Sequence, residues 1–268
     1  MSKIRVTVLA TTLFALVVPQ LQAQSAPWVF GLGTGFAALS TEGTVGFDTP
    51  NLGPIVGEYD LSPDEVMDAL ETAFGFATMA TNGDWTIKAG FATMELVGEP
   101  SGTLEDGFGG FSWEADASFK VTSVEATVGR TVYRSAGGGF SLTPYVGARN
   151  TKHELSAVLT IVDGIPTLLG GDFVDENWTD VLVGASFDFH LSPKFTWGNT
   201  FNAGFGGSEG TYRVATSLGW SPWPHWVFAP NASFTKVEYE NGTIGDSDWY
   251  FYDSDDTTFG LAVMYLFF

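Results

Sequence analysis

A closed antiparallel β-barrel that crosses a lipid bilayer is the fold this sequence predicts, on three observations. Its charge-poor segments alternate apolar and small polar residues with period two. Its connections alternate between short turns and long acidic loops. Its last stretch, TFGLAVMYLFF, is apolar and ends on Phe268. In lipid an unpaired strand edge is forbidden, because no water is there to bond the backbone, and closing the sheet removes the edge.

The elements follow in order. Lys3 and Arg5 precede the apolar run Val6–Val18, Pro19 ends it, and Leu21, Gln22 and Ala23 offer a small-residue cleavage site. That is the pattern of an export signal (1–23) cut near Ala23, too short for the ~20 apolar residues of a membrane helix. Residues 24–268 are then one domain. The chain has no Cys, so no disulfide framework is available. Strands are expected at 27–40, 71–81, 84–97, 113–134, 140–156, 177–191, 195–206, 211–221, 226–239 and 257–268, about ten in all. Eight or twelve are also compatible with the pattern, and an even number puts both ends on one side.

The strand around 180–191 shows the alternation best. Val181, Val183, Ala185 and Phe187 form one face; Asp180, Leu182, Gly184, Ser186, Asp188 and His190 form the other. A soluble sandwich would fill its second face with Lys, Glu and Thr. Here that face carries Gly, Ser and isolated charges, the lumen pattern of a transmembrane barrel. Short turns fall at 81–84, 135–139, 192–194 and 222–225. Long loops fall at 41–70, 98–112, 160–176 and 241–256, with a short one at 206–210. The asymmetry predicts periplasmic turns and extracellular loops. In the first loop, Ser62 as N-cap, Pro63 and Glu65 predict a short helix with a capping box. Trp28, Trp85, Trp197, Trp220, Trp223 and Trp226 lie beside the short turns, and Trp113, Trp178, Trp249 and Tyr250 beside the long loops. Two interfacial belts are expected from them.

A net charge of -20 excludes a nucleic-acid partner, which needs a basic stripe. Within the strands, parity points Lys88, Glu125, Arg149, Asp180, Asp188 and Arg213 inward. Charges at that depth must be paired or hydrated. Two readings stand: a charged constriction that selects solutes, or salt bridges that plug a narrow lumen. The acidic stretch GDSDWYFYDSDD offers Asp246, Asp248, Asp253, Asp255 and Asp256 to a hard cation such as Ca²⁺. It lacks the spacing and the Gly of a calcium loop, so a solvated loop is the alternative. No cofactor and no further metal is expected.

The three histidines, His153, His190 and His225, sit in no recognisable catalytic motif. Asp188 and His190 share a face, but beside a periplasmic turn. The expectation is therefore a non-enzyme, with a surface hydrolase of the omptin or lipid-A-modifying kind as the alternative.

The segments EVMDALETAFGFATMATNGDWTIKAGFATMEL, VEATVGRTVYRS, LTPYVGARNTKHEL and ENWTDVLVGASFDFHLSPKFTWGNTFNAGFGG resemble a group of uncharacterised proteobacterial outer-membrane proteins. Those barrels are similar to OmpA and OmpW, and the likeness runs from about residue 54 to the end. Phe268, Leu266 and Met264, with Ala262, resemble the C-terminal signal read by the barrel-assembly machinery. The opposite face of that strand (Phe259, Leu261, Val263, Tyr265, Phe267) is apolar too, so either part of the lumen is apolar or that face packs on a loop. The resemblance implies the outer membrane of a Gram-negative bacterium, with lipid and lipopolysaccharide around the wall. It carries no catalytic residues. The function expected is that of a monomeric narrow solute pore, or of a structural or surface-interaction protein.

Overall fold

The computed structural model describes residues 27–49, 53–98, 101–104, 111–161 and 168–268. The expected export signal lies outside them. Ten long strands form the wall: β1 (Val29–Thr49), β3 (Leu70–Thr81), β4 (Trp85–Gly98), β6 (Phe111–Arg130), β8 (Phe140–Ile161), β9 (Leu168–Ser192), β10 (Phe195–Phe205), β11 (Gly210–Trp223), β12 (Trp226–Asn241) and β13 (Tyr250–Phe267). Each pairs antiparallel with its neighbours, and β13 returns to β1 from Phe30↔Phe267 to Phe47↔Tyr250, which closes the ring. Besides these ten, β2 (Gly53–Leu61) pairs with Thr41–Thr49 of β1, beyond the part of β1 that ladders with β3, β5 (Ser101–Leu104) pairs with β6, and β7 (Tyr133–Arg134) is a stub on β8. The helix α1 (Pro63–Ala69) carries the expected capping box between Ser62 and Glu65.

Several strands outrun their expected ends. β9 has 25 residues, where crossing a bilayer takes ~9–11. The supposed loops at 41–70 and 160–176 are therefore largely wall, and the one at 241–256 shrinks because β13 starts at Tyr250. Above the bilayer both surroundings of the outward face are wet. Acidic residues are at home there without breaking the strand, which is why they resembled loops.

The outward face marks where lipid ends. On β8, Val146 and Ala148 give way to Lys152 and Glu154; on β4, Phe91 to Glu95; on β1, Phe36 to Glu42; on β13, Phe259 to Asp255 and Asp253. Below that line Phe30, Leu32, Ile87, Val183, Phe201 and Val214 stand exposed, an apolar belt explained by lipid contact. At the short-turn end Trp28, Trp85, Trp197, Trp220, Trp223 and Trp226 are all exposed, as an interfacial girdle is. The second belt is not formed. Trp178 and Tyr250 turn inward and are buried, and Trp249 is buried with its ring against Gly46. β9 continues past Trp178 and β13 begins at Tyr250, so for these two strand parity and not proximity to a loop sets where they point. The side chain of Trp113 lies outside the described residues.

Candidate functional site

The lumen is layered. At the short-turn end, Val29, Met79, Val227, Ala262, Met264 and Leu266 meet in one buried cluster, with Met264 fully enclosed. The closing strand thus turns Ala262, Met264 and Leu266 inward, while Phe259 and Phe267 face lipid. Part of the lumen is apolar, but it is made by the face that carries Met264 and not by the opposite one. Gly31 explains how the plug fits: a Cβ there would stand 2.6 Å from the Met264 sulfur. Phe268 is exposed, its ring 4.9 Å from that of His225.

Above the plug come the charges. All six expected residues lie on inward positions of their strands. Arg149 Nε donates to Glu125 at 3.0 Å, and both side chains are largely buried, which satisfies the condition for holding charge at bilayer depth. Lys88 faces Asp188 first and Glu125 second. Arg213 Nε donates to Thr235 Oγ1 at 3.0 Å. Asn202 donates to the Tyr145 hydroxyl at 3.1 Å, and the Tyr145 ring is seated on Gly184, where a Cβ would lie 2.6 Å from it. Asp180 does something different: one oxygen accepts from Gly207 N, Ser208 N and Ser208 Oγ at 3.2, 2.8 and 2.8 Å. It anchors the short β10–β11 turn.

The acidic stretch is not one cluster. Asp253 and Asp255 point outward to Lys236, at 3.3 and 3.8 Å. Asp256 points inward, accepting from Thr41 at 2.6 Å and Ser254 at 2.8 Å, and Arg213 lies near it. Asp246 bonds within its own turn, to Thr243 N. Among the described residues no three His, Asp or Glu groups are placed to hold a metal ion. Asp256 is a lumen charge that the sequence reading put in a loop; counting alternate positions back from Met264 would have found it.

Over the charged layer lies a chamber of about 850 Å³. Its floor includes Arg149, Arg213 and Asp256, and its wall is mostly apolar, with Leu39, Met94, Val121, Leu155 and Val237. The helix α1 helps to make it. β1 and β3 are laddered only from Val29↔Thr81 to Gly33↔Ala77 and then part. The fully buried Val66 of α1 packs on Leu39 and Met94, inward residues of the strands on either side of β3.

An aromatic cluster forms one side of the chamber: Trp178 stacks on Tyr239 at 4.0 Å, and His153 presses edge-on to Tyr252 at 4.5 Å and Trp178 at 4.7 Å. His153 Nδ1 meets the Tyr250 hydroxyl at 2.8 Å. Burial alone drives the His153 pKa down from 6.5 to about 3, which leaves the ring neutral. His190 contacts Thr196, and His225 Nδ1 donates to the Leu266 carbonyl at 2.8 Å. Neither is bonded to a carboxylate.

No protein-family model matches the chain, and no curated sequence does. Among solved structures, the outer membrane protease OmpT of Escherichia coli matches with a TM-score of 0.56 at 9% identity, covering 93% of this chain and 100% of that one. The fold is that of the outer-membrane β-barrels. The translocator domain of the autotransporter NalP from Neisseria meningitidis (TM-score 0.43, 12% identity, 90% and 88% covered) also matches. So does OprG from Pseudomonas aeruginosa (TM-score 0.35, 9% identity, 91% and 97% covered). At these identities the likeness concerns architecture, and chemistry has to be argued from the lumen.

Proposed function

We propose that this chain is an outer-membrane barrel of Gram-negative bacteria that works at the cell surface as a binding or surface-interaction protein, with its lumen closed to through-flow. One observation carries the reading: at the periplasmic end the inward faces of β3, β1, β13 and β12 pack into a buried cluster around Met264 and Leu266, with Met264 fully enclosed. The paired charges above it add a second layer, in which Glu125 is held by Arg149 Nε. A selective constriction needs charges that face a path, and these face partners.

The non-enzymatic reading is supported by the histidines. His153 is walled in by rings, and the Asp188–His190 pair lies at the periplasmic end. Lipid and lipopolysaccharide are the expected surroundings of the apolar belt, and the assembly machinery is the expected reader of the strand ending Met264, Leu266, Phe268.

The test is single-channel recording of the refolded protein in planar bilayers. Silence is expected from the wild type, and discrete openings from the double variant Met264→Gly, Leu266→Gly. Discrete openings of the wild type would sink the closed-lumen reading in favour of a narrow pore.

A further inference from the structure

The chamber holds a pattern that a passive void would not need. Four inward rows cross from β4 through β6 and β8 to β9, as the strand registers fix them. The lowest is Gly90, Glu125, Arg149 and Asp180. Next comes Ala92, Ser123, Thr151 and Trp178. The third is Met94, Val121, His153 and Glu176, and the fourth is Leu96, Phe119, Leu155 and Val174. The two lower rows supply most of the polar groups, and the wall above is apolar apart from the buried ring of His153 and from Glu176, whose oxygens are held by Tyr239 and Asn241.

Three donors in the lower rows are buried without a hydrogen-bond partner among the described residues: Arg149 Nη2, Ser123 Oγ and Trp178 Nε1. Arg149 Nη2 lies 3.0 Å from Glu125, an ion-pair contact, while the directed bond to that carboxylate is made by Nε. All three residues line the chamber. The acidic acceptors that line or adjoin the chamber are already engaged, Glu125 by Arg149, Asp256 by Thr41 and Ser254, and Glu176 by Tyr239 and Asn241; the second oxygen of Asp180 is unpartnered, but that residue does not line the chamber. A buried donor left unmade costs free energy, so such groups mark where a partner belongs. The surplus here is of donors, and it sits beneath apolar walls.

We infer that the chamber is a binding site for a single-chain amphiphile with a carboxylate head. The head accepts from Ser123, Trp178 and Arg149, and the chain lies along Val121, Phe119 and Leu155. The chamber volume of about 850 Å³ lies within the range of small-molecule sites. A cationic head is disfavoured, because it would bring donors to donors beside Arg149 and Arg213. This inference goes beyond the closed-lumen reading and does not depend on it: a conducting barrel could still bind, and a silent one could fail to.

The experiment uses protein refolded in phospholipid nanodiscs, which avoids detergent chains that would compete. The probe is decanoate with a diazirine near its chain end; after irradiation the labelled peptides are mapped. Labels are expected on the inward positions of β6 and β8, around Val121 and Leu155. Excess decanoate should suppress them and decylamine should not. Trp178→Phe keeps the ring but removes the donor, and should weaken binding about three- to tenfold, the span of one hydrogen bond. Ser123→Ala, a smaller change, guards against misfolding of the first variant and should weaken binding in the same direction. Labels confined to outward, lipid-facing residues would overturn the inference. So would equal competition by decylamine, or wild-type binding by both variants.

Discussion

The two halves of this lumen are lined by much the same kind of side chain and end up opposite in character. At the short-turn end Met264, Leu266, Met79 and Val227 interlock, with the small residues Gly31 and Ala262 making room for the large ones. In the outer half Leu39 and Met94 pack through Val66 of α1, while Val121, Leu155 and Val237, equally apolar, line the open space of the chamber. What differs is the wall. Near the bottom β1 and β3 are laddered; higher up they part, and α1 and β2 are set into the wider ring. Residue type alone therefore does not decide between plug and cavity. The spacing of the strands that carry the side chains does.

The largest test of this contrast removes packing on each side of it. Met264→Ala should cost about 2–5 kcal/mol, because a fully enclosed side chain leaves a cavity. Val121→Ala, on the chamber wall, should cost less than about 1 kcal/mol, since part of its surface already faces open space. Reversible unfolding in lipid vesicles measures both. Similar costs would mean that the two halves are packed alike.

A second comparison sits within β8. Val146 faces lipid at 52% exposure and Thr151 lines the chamber. Arg at Val146 should cost about 2–4 kcal/mol for an unpaired charge at bilayer depth, and Arg at Thr151 far less. Ser186 would be a poor inward control, because it is buried at 6% and the lumen is packed at its level.

The smallest expected effect is on pH dependence. The His153 pKa is pushed down to about 3 in the folded protein, against an ordinary 6.5. The unfolded chain thus binds the extra proton first. The stability that neutral His153 contributes is complete above about pH 6.5 and drains away as pH falls toward the folded value. The groups facing it are Tyr250, Tyr252 and Trp178, with Glu176 held by Tyr239 nearby. His153→Gln should be less pH-sensitive than wild type between about pH 4 and 7. Equal slopes would mean that the aromatic cluster opens without protonating this ring.

Much of the architecture was legible in the sequence, and the reason is the strict period of a strand. Once Phe187 is outward, Ser186 and Asp188 must be inward, whatever the loops do. The cap of α1 was equally plain, because Ser62 and Glu65 bond locally. Strand ends were not legible: charge in Glu42, Asp175 or Asp253 signals water, and water lies outside a protruding wall as well as around a loop. The chamber was also hidden. Ser123, Trp178 and Arg149 lie far apart in the chain, and only the registers bring them into adjacent rows. Trp178 could have been placed inward from its neighbour Asp180, two residues along the same face.

The central claim is a lumen shut below and open above, and thiol labelling tests it most directly because the chain has no Cys of its own. Thr151→Cys puts a thiol in the chamber, and Ala262→Cys, at a position 1% exposed, puts one in the plug. Both variants are refolded in lipid vesicles and given a membrane-impermeant maleimide on both sides. The account predicts rapid labelling of Thr151→Cys, and labelling of Ala262→Cys only after unfolding. Labelling of folded Ala262→Cys as fast as Thr151→Cys would contradict it.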